Sequence, residues 1–249
     1  GNMAQAMIGG ILAKGIVKKD EIIASAATQK TIDKVSEEFG VNVTLDNTEV
    51  AKADIVFLAV KPVYYQEVID EIKSVVNENQ IIISVAAGKS VEWVENAFGG
   101  EKKIVRIMPN TPAKVFEGVT LFERENTLTQ EEFDFAYQMF ESIGEVYVID
   151  NKQMIAGGAL SGCGPAFVYM FIEALADGAV LNGLPRDLAY KLASQTVLGS
   201  AKMVQETKAH PGLLKDQVCS PGGITIKGVK ALEENGFRNA VIEAIDKAK

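Results

Sequence analysis

The stretch of residues 218–225, VCSPGGIT, is the part of the sequence best suited to chemistry. It provides consecutive backbone amides, the hydroxyls of Ser220 and Thr225, and then an apolar pattern typical of a helix. Successive amides at a turn and a helix start bind an oxyanion, and a nearby hydroxyl can hydrogen-bond a ring nitrogen. We therefore predict a loop that holds a carboxylate. The structural alternative is an ordinary loop in which Ser220 caps a helix.

A second glycine-containing stretch, LSGCGPAF at residues 160–167, leads towards Pro165, a residue that favours the first turn of a helix. A helix N-terminus of this kind suits an anion or a close approach by a cofactor. Tight helix packing is an equally good explanation of the glycines. Cys163 has no evident base partner, so we predict a small buried residue and not a nucleophile.

Other catalytic centres are disfavoured by the residue inventory. His210 is the single histidine and stands beside Pro211 and Gly212, which predicts a turn and a structural role. With His210 in a structural role, no other histidine is left to centre a triad, and no pair of carboxylates stands out as acid and base. Cys163 and Cys219 lack metal-type spacing, so no metal site is predicted.

The N-terminal residues are suited to binding a phosphate. Gly1, Asn2, Met3 and Ala4 open an amphipathic helix whose free amides and dipole favour an anion. In a dinucleotide-binding fold they would end a glycine-rich turn that follows a strand, so we expect the first strand of such a sheet to be missing from this sequence. An ordinary capped helix is the alternative.

The apolar segment that follows ends at Ser25 without an acidic residue. NAD-preferring sites usually carry Asp or Glu there to hold the ribose hydroxyls. Ser25, with Thr28 and Lys30 nearby, could accept the extra phosphate of NADPH. The sequence therefore favours NADPH, with NADH possible, and a solvated polar turn is the alternative.

Three further segments are predicted to meet at one edge of the sheet. A buried strand at residues 54–60 ends at Lys61 and Pro62, and similar strand ends precede residues 85–88 and 109–112. Ligands of open α/β sheets lie beyond the carboxyl ends of the strands. Small residues at 85–88 would let a cofactor approach the backbone, and the prolines beside Asn110 would hold its amide in place.

These segments belong to a predicted α/β fold, a Rossmann-type doubly wound parallel sheet at residues 1–150, followed by an all-α domain at residues 151–249. Predicted strands are 21–25, 54–60, 80–85, 103–108, 119–122 and 145–149. Predicted helices are 3–14, 29–39, 63–76, 91–98 and 129–143, then 154–159, 165–182, 185–208, 222–234 and 237–247. We expect the second group of helices to pack against another copy of the chain.

Composition narrows the possible partners. A net charge of −8 opposes binding to nucleic acid. The most apolar stretch, residues 157–184, is interrupted by Glu173 and Asp177, so we predict a buried helix with one wet edge and no membrane span. Two cysteines in 249 residues fit a reducing cytoplasm.

Five motifs in this order resemble the pyrroline-5-carboxylate reductase family: AVKP (59–62), MPNTP (108–112), LSGCGPAF (160–167), HPGLLKD (210–216) and SPGGITIKG (220–228). The resemblance covers the whole chain. It implies hydride transfer from NAD(P)H to the cyclic imine 1-pyrroline-5-carboxylate, giving L-proline in the last step of proline biosynthesis. It also implies a helical domain that interlocks into homodimers, often assembled into homodecamers.

The resemblance assigns roles by position. It implies cofactor contacts at Gly1, Asn2, Met3, Ala4, Ser25, Asn47, Ala59, Val60, Lys61, Pro62, Val85, Ala86, Ala87 and Gln217. Asn110 is predicted to contact the cofactor from its place at the edge of the sheet. It implies that Ser220, Gly222, Gly223 and Ile224 hold the substrate carboxylate, and that Thr225 contacts the imine nitrogen as the catalytic residue. The chain departs from the family just before Leu160, where Ile155-Ala-Gly-Gly158 replaces the usual Asp-Ala-Val-Thr.

Two other functions compete with this hypothesis. A relative of the β-hydroxyacid dehydrogenases would share the order of domains but would be expected to carry a catalytic lysine among the helices, and the SPGGIT segment argues against it. A catalytically silent NAD(P)-binding regulator is the second alternative. Turnover with NADPH and pyrroline-5-carboxylate distinguishes the enzyme from the regulator.

Overall fold

The computed structural model describes residues 1–85 and 88–249. The chain divides into two compact units, Gly1–Gly162 and Cys163–Lys249. The described strands all precede Asp150, as the change in sequence pattern predicts. The domain boundary after residue 150 remains a prediction.

The first unit contains two sheets. Its strands are β1 (Ile23–Ser25), β2 (Asn42–Thr44), β3 (Ile55–Leu58), β4 (Ile81–Ser84), β5 (Lys103–Pro109), β6 (Gly118–Glu123) and β7 (Gly144–Ile149). β1 pairs with β2, and the larger sheet has the order β3-β4-β5-β6-β7. All neighbours are parallel except β5 and β6. Only a short 3₁₀ turn, Thr111–Val115, joins these two strands, which is too little chain for a parallel crossover.

The helices of the first unit are α1 (Asn2–Ala13), α2 (Gln29–Phe39), α3 (Asn47–Val50), α4 (Tyr65–Ile72), α5 (Val91–Phe98), α6 (Gln130–Glu141) and α7 (Asn151–Gly158). Helices α1 and α6 cover one face of the larger sheet and α4 and α5 cover the other, as a doubly wound fold requires, whereas α2 and α3 contact β1 and β2. Several begin where a side-chain oxygen accepts from a free amide, for example Thr28, Ser90 and Thr129.

The alternation of side chains along the strands creates two cores. Ile83, with residues of α1 and α6, belongs to the cluster on one face, and Ile82, with residues of α4 and α5, belongs to the cluster on the other. Both isoleucines are fully buried. The continuous apolar runs that predict buried strands therefore match a sheet with two covered faces, and the predicted fold class is confirmed.

The second unit is helical. It contains α8 (Gly164–Leu181), α9 (Arg186–Thr207), α10 (Pro211–Val218), α11 (Ile224–Glu234) and α12 (Phe237–Lys247). Its buried centre is formed by small residues, Ala176, Ala189 and Ala193, where α8 packs against α9. Many of its large apolar side chains are exposed, including Met170, Leu181 and Ile242.

The glycine stretch at residues 160–167 does not open a free helix N-terminus as predicted. Residues Ala159–Cys163 form a π-helical turn that connects α7 directly to α8. The helical hydrogen bonds therefore continue through this stretch, and its amides are not available as a phosphate site. Cys163 is exposed, so the prediction that it is buried is also wrong.

The apolar helix of residues 157–184 is not buried either. Helical turns run through Asn151–Leu181, and by length and a mean hydropathy of 1.5 this stretch could cross a membrane, although Glu173 and Asp177 were expected to prevent it. Only 6% of its most apolar window is buried within the chain. The prediction of a buried core helix is therefore wrong for the isolated chain.

Candidate active site

The carboxyl ends of three parallel strands form one rim of the larger sheet. Leu58 of β3 is in register with Ser84 of β4, which is in register with Arg106 of β5. The predicted cofactor segment Ala59 to Pro62 leaves β3 at this rim, and Val85 leaves β4 beside it. Ala86 and Ala87, predicted to contact the cofactor, lie outside the described residues.

The first segment of the rim turns away from the strand at once. The amide of Val85 donates to the carbonyl of Leu58 at 3.2 Å, so the two strand ends stay joined past the ladder. Lys61 is the N-cap of a 3₁₀ turn that begins with Pro62, and both residues are exposed. β3 has already ended at Leu58, and Pro62 suits the first position of the turn because that position needs no amide donor.

Asn110 follows β5 at the rim and is 7% exposed. Its side-chain nitrogen donates to the carbonyl of Ser161 at 2.9 Å, and its side-chain oxygen accepts from the amide of Val119 at 2.8 Å. Both ends of the amide are thus engaged by the protein. The side chain ties the turn after β5 to the π-helical segment, and a cofactor contact by Asn110 would have to use its backbone.

Ser25 and Asn47, two predicted cofactor residues, lie in contact. The Ser25 hydroxyl donates to the side-chain oxygen of Asn47 at 2.7 Å. The side-chain nitrogen of Asn47 in turn donates to Glu71 at 2.6 Å. Glu71 was not predicted, because a glutamate on the surface of an amphipathic helix carries no signal of a site. The chain of three side chains fixes a hydroxyl and an amide at the end of β1.

The start of α1 is open to an anion. Gly1 is its N-cap, and no side chain makes a capping hydrogen bond to it among the described residues. Met3 and Ala4 pack against the core cluster, whereas Gly1 and Asn2 are exposed. The first amides of a helix have no partner within the helix, so this end can receive a phosphate.

The predicted substrate loop connects α10 to α11. Gly222 has a φ of 71°, a conformation that side chains disfavour. The amide of Gly223 donates to the carbonyl of Ser220 at 3.0 Å, and Gly223 is the N-cap of α11. A Cβ on Gly223 would lie 2.5 Å from the Ser220 hydroxyl oxygen. Only glycine lets the loop curl this tightly around the helix start.

The hydroxyls of this loop frame the free amides of α11. Thr225 lies in the first turn of the helix and is partly buried, whereas Ser220 and Ile224 are exposed. No side chain makes a capping hydrogen bond to α11 in the part of the chain that the structure describes. The loop can therefore bind an anionic oxygen with its amides and offer Thr225 as a neighbouring donor.

His210 and Gln217 lie at opposite ends of α10, the helix that precedes the substrate loop. His210 is the N-cap of α10, and its Nδ1 accepts from the amide of Gly212 at 3.0 Å. The imidazole thus completes a helix start, in line with the predicted structural role. α10 itself was not predicted, because Pro211 and Gly212 suggested only a turn. Gln217 lies in the last turn of α10 and is exposed.

A buried ion pair lies next to the rim and was not predicted. Arg106 Nε is 2.6 Å from Glu123 Oε2, and the two side chains are 7% and 1% exposed. Arg106 also donates to the Lys89 carbonyl at 3.3 Å and to Asn151 at 3.4 Å. Burial raises the pKa of Glu123, and the Arg106 charge opposes that rise. The pair joins β5 and β6 to the loop after β4 and to the start of α7.

The glycines where the chain departs from the family allow α7 to pack closely. A Cβ on Gly158 would lie 2.3 Å from the sulfur of Met108, the residue that begins the MPNTP motif. A Cβ on Gly157 would lie 2.8 Å from Leu121. The small residues bring the helix against β5 and β6, so the departure is matched by the packing around it.

Comparison with known proteins gives matches in both parts of the chain. The family described as pyrroline-5-carboxylate reductase dimerisation matches residues 151–249, and the family described as NADP oxidoreductase coenzyme F420-dependent matches residues 1–88. The pyrroline-5-carboxylate reductase of Escherichia coli (strain K12) is 46% identical over 248 residues, covering 99% of this chain and 92% of that protein. The enzyme of the same name from Arabidopsis thaliana is 41% identical over 246 residues, covering 98% and 89%.

A solved structure of a protein with a similar name also matches this chain. The crystal structure of Plasmodium falciparum pyrroline carboxylate reductase with NADP bound has a TM-score of 0.91 and 35% sequence identity, covering all of this chain and 92% of that one. Identity of this level over nearly the whole length excludes a likeness of fold alone. The chain belongs to the pyrroline-5-carboxylate reductase family.

Proposed function

We propose that this chain is a pyrroline-5-carboxylate reductase, an oxidoreductase that reduces the C=N bond of 1-pyrroline-5-carboxylate to give L-proline, the last step of proline biosynthesis. The observation that carries the proposal is the 46% identity to the Escherichia coli reductase across 99% of the chain. The open amides and hydroxyls of the loop between α10 and α11 fit a small carboxylate substrate.

NADPH is the proposed cofactor, and it supplies the hydride when bound. The residues fit it: Ser25 and Asn47 present polar groups at the end of β1 without an acidic residue at the strand end, and the start of α1 is open to a phosphate. The small residues after β4 would let the cofactor approach the backbone. The proposed contacts are Gly1 to Ala4, Ser25, Asn47, Ala59 to Pro62, Val85 to Ala87, the backbone of Asn110, and Gln217. Use of NADH is also possible at these residues.

The proposed substrate contacts belong to one loop. The amides around Gly222, Gly223 and Ile224, with the Ser220 hydroxyl, hold the carboxylate. The Thr225 hydroxyl then hydrogen-bonds the ring nitrogen and keeps a proton at that atom. A protonated imine accepts hydride readily, so the residues contribute chiefly by orientation and by exclusion of water.

We further propose that the chain works as a homodimer, assembled into a homodecamer. The match of residues 151–249 to a dimerisation family supports an oligomer. The exposed apolar side chains of α8 and α9 need a partner surface, and a second copy of the chain is the partner that this family description names. Analytical ultracentrifugation should give a species larger than 26.8 kDa.

A cytoplasmic location is proposed because Cys163 and Cys219 are free thiols. Fractionation of the source cells would place the enzyme with the cytoplasmic fraction. Recovery in a membrane fraction would instead assign the apolar helix Asn151–Leu181 to a bilayer.

The reaction is tested by a substrate panel. We expect oxidation of NADPH with pyrroline-5-carboxylate, and no reduction of NADP⁺ when β-hydroxyacids are supplied with NADP⁺ instead. The same assay with NADH gives the cofactor preference. NADPH binding without turnover of any member of the panel would instead identify a silent regulator.

A further inference from the structure

Tyr65 is buried beneath the rim of the larger sheet. It is the first residue of α4 and only 1% exposed. A buried phenol needs a hydrogen-bond partner, and the position of the partners decides what the side chain does. Here the partners are the ends of two strands.

One hydroxyl joins those two ends. The Tyr65 hydroxyl donates to the carbonyl of Leu58, the last residue of β3. Its oxygen accepts from the amide of Val85, which follows β4, at 3.0 Å, and from the Ser84 hydroxyl at 3.4 Å. Through these contacts the phenol both donates and accepts, so it connects the two strand ends.

The same hydroxyl connects the two ends of the segment that follows β3. Ala59 to Pro62 lie between Leu58 and Tyr65 in the chain, so the bond from Tyr65 to Leu58 fixes both ends of the segment. The bond to Val85 sets where the next segment leaves the sheet. The hydroxyl therefore reinforces the direct backbone bond between Val85 and Leu58, and the two bonds together set the relative position of the segments.

Neighbouring groups hold the ring in place. The Trp93 ring lies 6.5 Å from the Tyr65 ring, centroid to centroid, and the Lys89 ammonium lies 3.6 Å from the centroid of Trp93. Arg106 donates to the Lys89 carbonyl at the far end of the same loop. The loop after β4 is therefore anchored at Val85 by Tyr65 and at Lys89 by Arg106.

We propose that Tyr65 is a positioning residue for the cofactor: its hydroxyl, together with the backbone bond between Val85 and Leu58, sets the spacing between the segment Ala59 to Pro62 and Val85, where NADPH is proposed to bind. The proposal rests on the proposed cofactor site. Tyr65 is buried and acts through Leu58, Ser84 and Val85, to which its hydroxyl bonds.

The test compares two Tyr→Phe variants. Tyr65→Phe removes the hydroxyl at the rim. Tyr137→Phe is the matched control, because the Tyr137 hydroxyl also donates to a backbone carbonyl, that of Val146 at 3.1 Å, but joins α6 to β7 away from the rim. NADPH affinity is measured by fluorescence titration, the KM for pyrroline-5-carboxylate by turnover, and Tm by calorimetry.

We expect Tyr65→Phe to raise the Kd for NADPH about five- to tenfold, as loss of one hydrogen bond of ordinary strength would do, with the KM for pyrroline-5-carboxylate within about twofold. Tyr137→Phe should lower Tm and leave the Kd unchanged. An unchanged Kd in Tyr65→Phe, or an equal rise in Tyr137→Phe, would overturn the proposal.

A second variant covers the case in which Tyr65→Phe does not fold. Trp93→Leu keeps the Tyr65 hydroxyl but removes the ring that supports it from a partly buried position. The Kd for NADPH should rise in the same direction by a smaller factor, and no rise would overturn the proposal. If the unsubstituted chain neither binds NADPH nor reduces the imine, the proposed function fails, independently of Tyr65.

Discussion

The Ser25 hydroxyl donates a 2.7 Å hydrogen bond to the side-chain oxygen of Asn47. The bond connects the end of β1 to the start of α3, two positions that lie 22 residues apart in the sequence. Glu71 holds the other end of the Asn47 amide at 2.6 Å. The two polar side chains are thus held at the end of β1, and the single Ser25 proton must turn from Asn47 to the ribose phosphate when NADPH binds.

Ser25→Ala should weaken NADPH more than NADH. A hydroxyl that hydrogen-bonds the ribose phosphate contributes a charge-assisted bond, so its loss should raise the Kd for NADPH about tenfold. NADH lacks that phosphate and serves as the internal control. Fluorescence titration of both cofactors measures the ratio, and an equal loss for the two would contradict the assignment of Ser25.

Thr225→Ala should lower turnover while NADPH affinity stays nearly unchanged. The Thr225 hydroxyl is proposed to bond the ring nitrogen of the substrate, so its removal should lower kcat/KM at least about tenfold. Thr225→Ser keeps the hydroxyl and should recover most of the activity. Loss of NADPH binding in Thr225→Ala would show that this residue does not serve the substrate.

Gly223→Ala should damage substrate binding through Ser220. The new Cβ would lie 2.5 Å from the Ser220 hydroxyl oxygen and 3.1 Å from the Ser220 carbonyl oxygen, so the Ser220 side chain must turn away from its place in the loop. We expect the KM for pyrroline-5-carboxylate to rise about tenfold, with the Kd for NADPH unchanged. Gly228→Ala in the same helix is the matched control, because a Cβ there meets no atom within 4 Å. Equal KM values for the two variants would refute the role of the loop.

The buried pair of Arg106 and Glu123 should behave as a unit. Glu123→Leu leaves the Arg106 charge buried without its partner and should reduce the free energy of unfolding by about 3 kcal/mol. Arg106→Met should cost a similar amount. The double variant removes both charges and should lose far less than the sum. Urea unfolding of the four proteins measures this coupling, and additive losses would contradict it.

Glu132 should make stability depend on pH. Its carboxylate accepts from Lys103 at 2.6 Å and from the amide of Thr129 at 3.0 Å, and these bonds lower its pKa. A lowered pKa in the folded state means that the stabilisation is present above the pKa of an unfolded glutamate and is lost as the pH falls through the lowered value.

Glu132→Gln should therefore reduce the free energy of unfolding by about 1 kcal/mol at pH 7 and by much less at pH 3. Glu131→Gln, in the same first turn of α6, is the control and should change little at either pH. Urea titrations at the two pH values give the comparison. A loss of equal size at both would exclude the carboxylate charge as its source.

Much of the fold follows from local patterns in the sequence. The apolar runs around Ile82 and Val105 predict buried strands because both faces of the sheet are covered. The antiparallel direction of β6 is not visible in such runs, since it depends on the short connection after Pro109. β2 was not predicted because its three residues are too few to show an apolar run.

The shape of the loop between α10 and α11 could be predicted because the loop is made of consecutive residues. The SPGGIT loop needs glycines and a helix start next to one another, and that pattern is local. Tyr65, Glu71 and Arg106 act through partners distant in the chain, so no spacing reveals them. The exposed α8 was predicted to be buried because hydropathy does not distinguish a core from a surface that a second chain can cover.

The most direct test of the central claim is to follow NADPH absorbance and proline together after adding pyrroline-5-carboxylate to the purified chain. The proposed function predicts that NADPH is lost only when the imine is present and that equal amounts of NADP⁺ and proline form. NADPH that stays bound and unoxidised, with no proline formed, would contradict the account and identify a different substrate or a silent cofactor-binding protein.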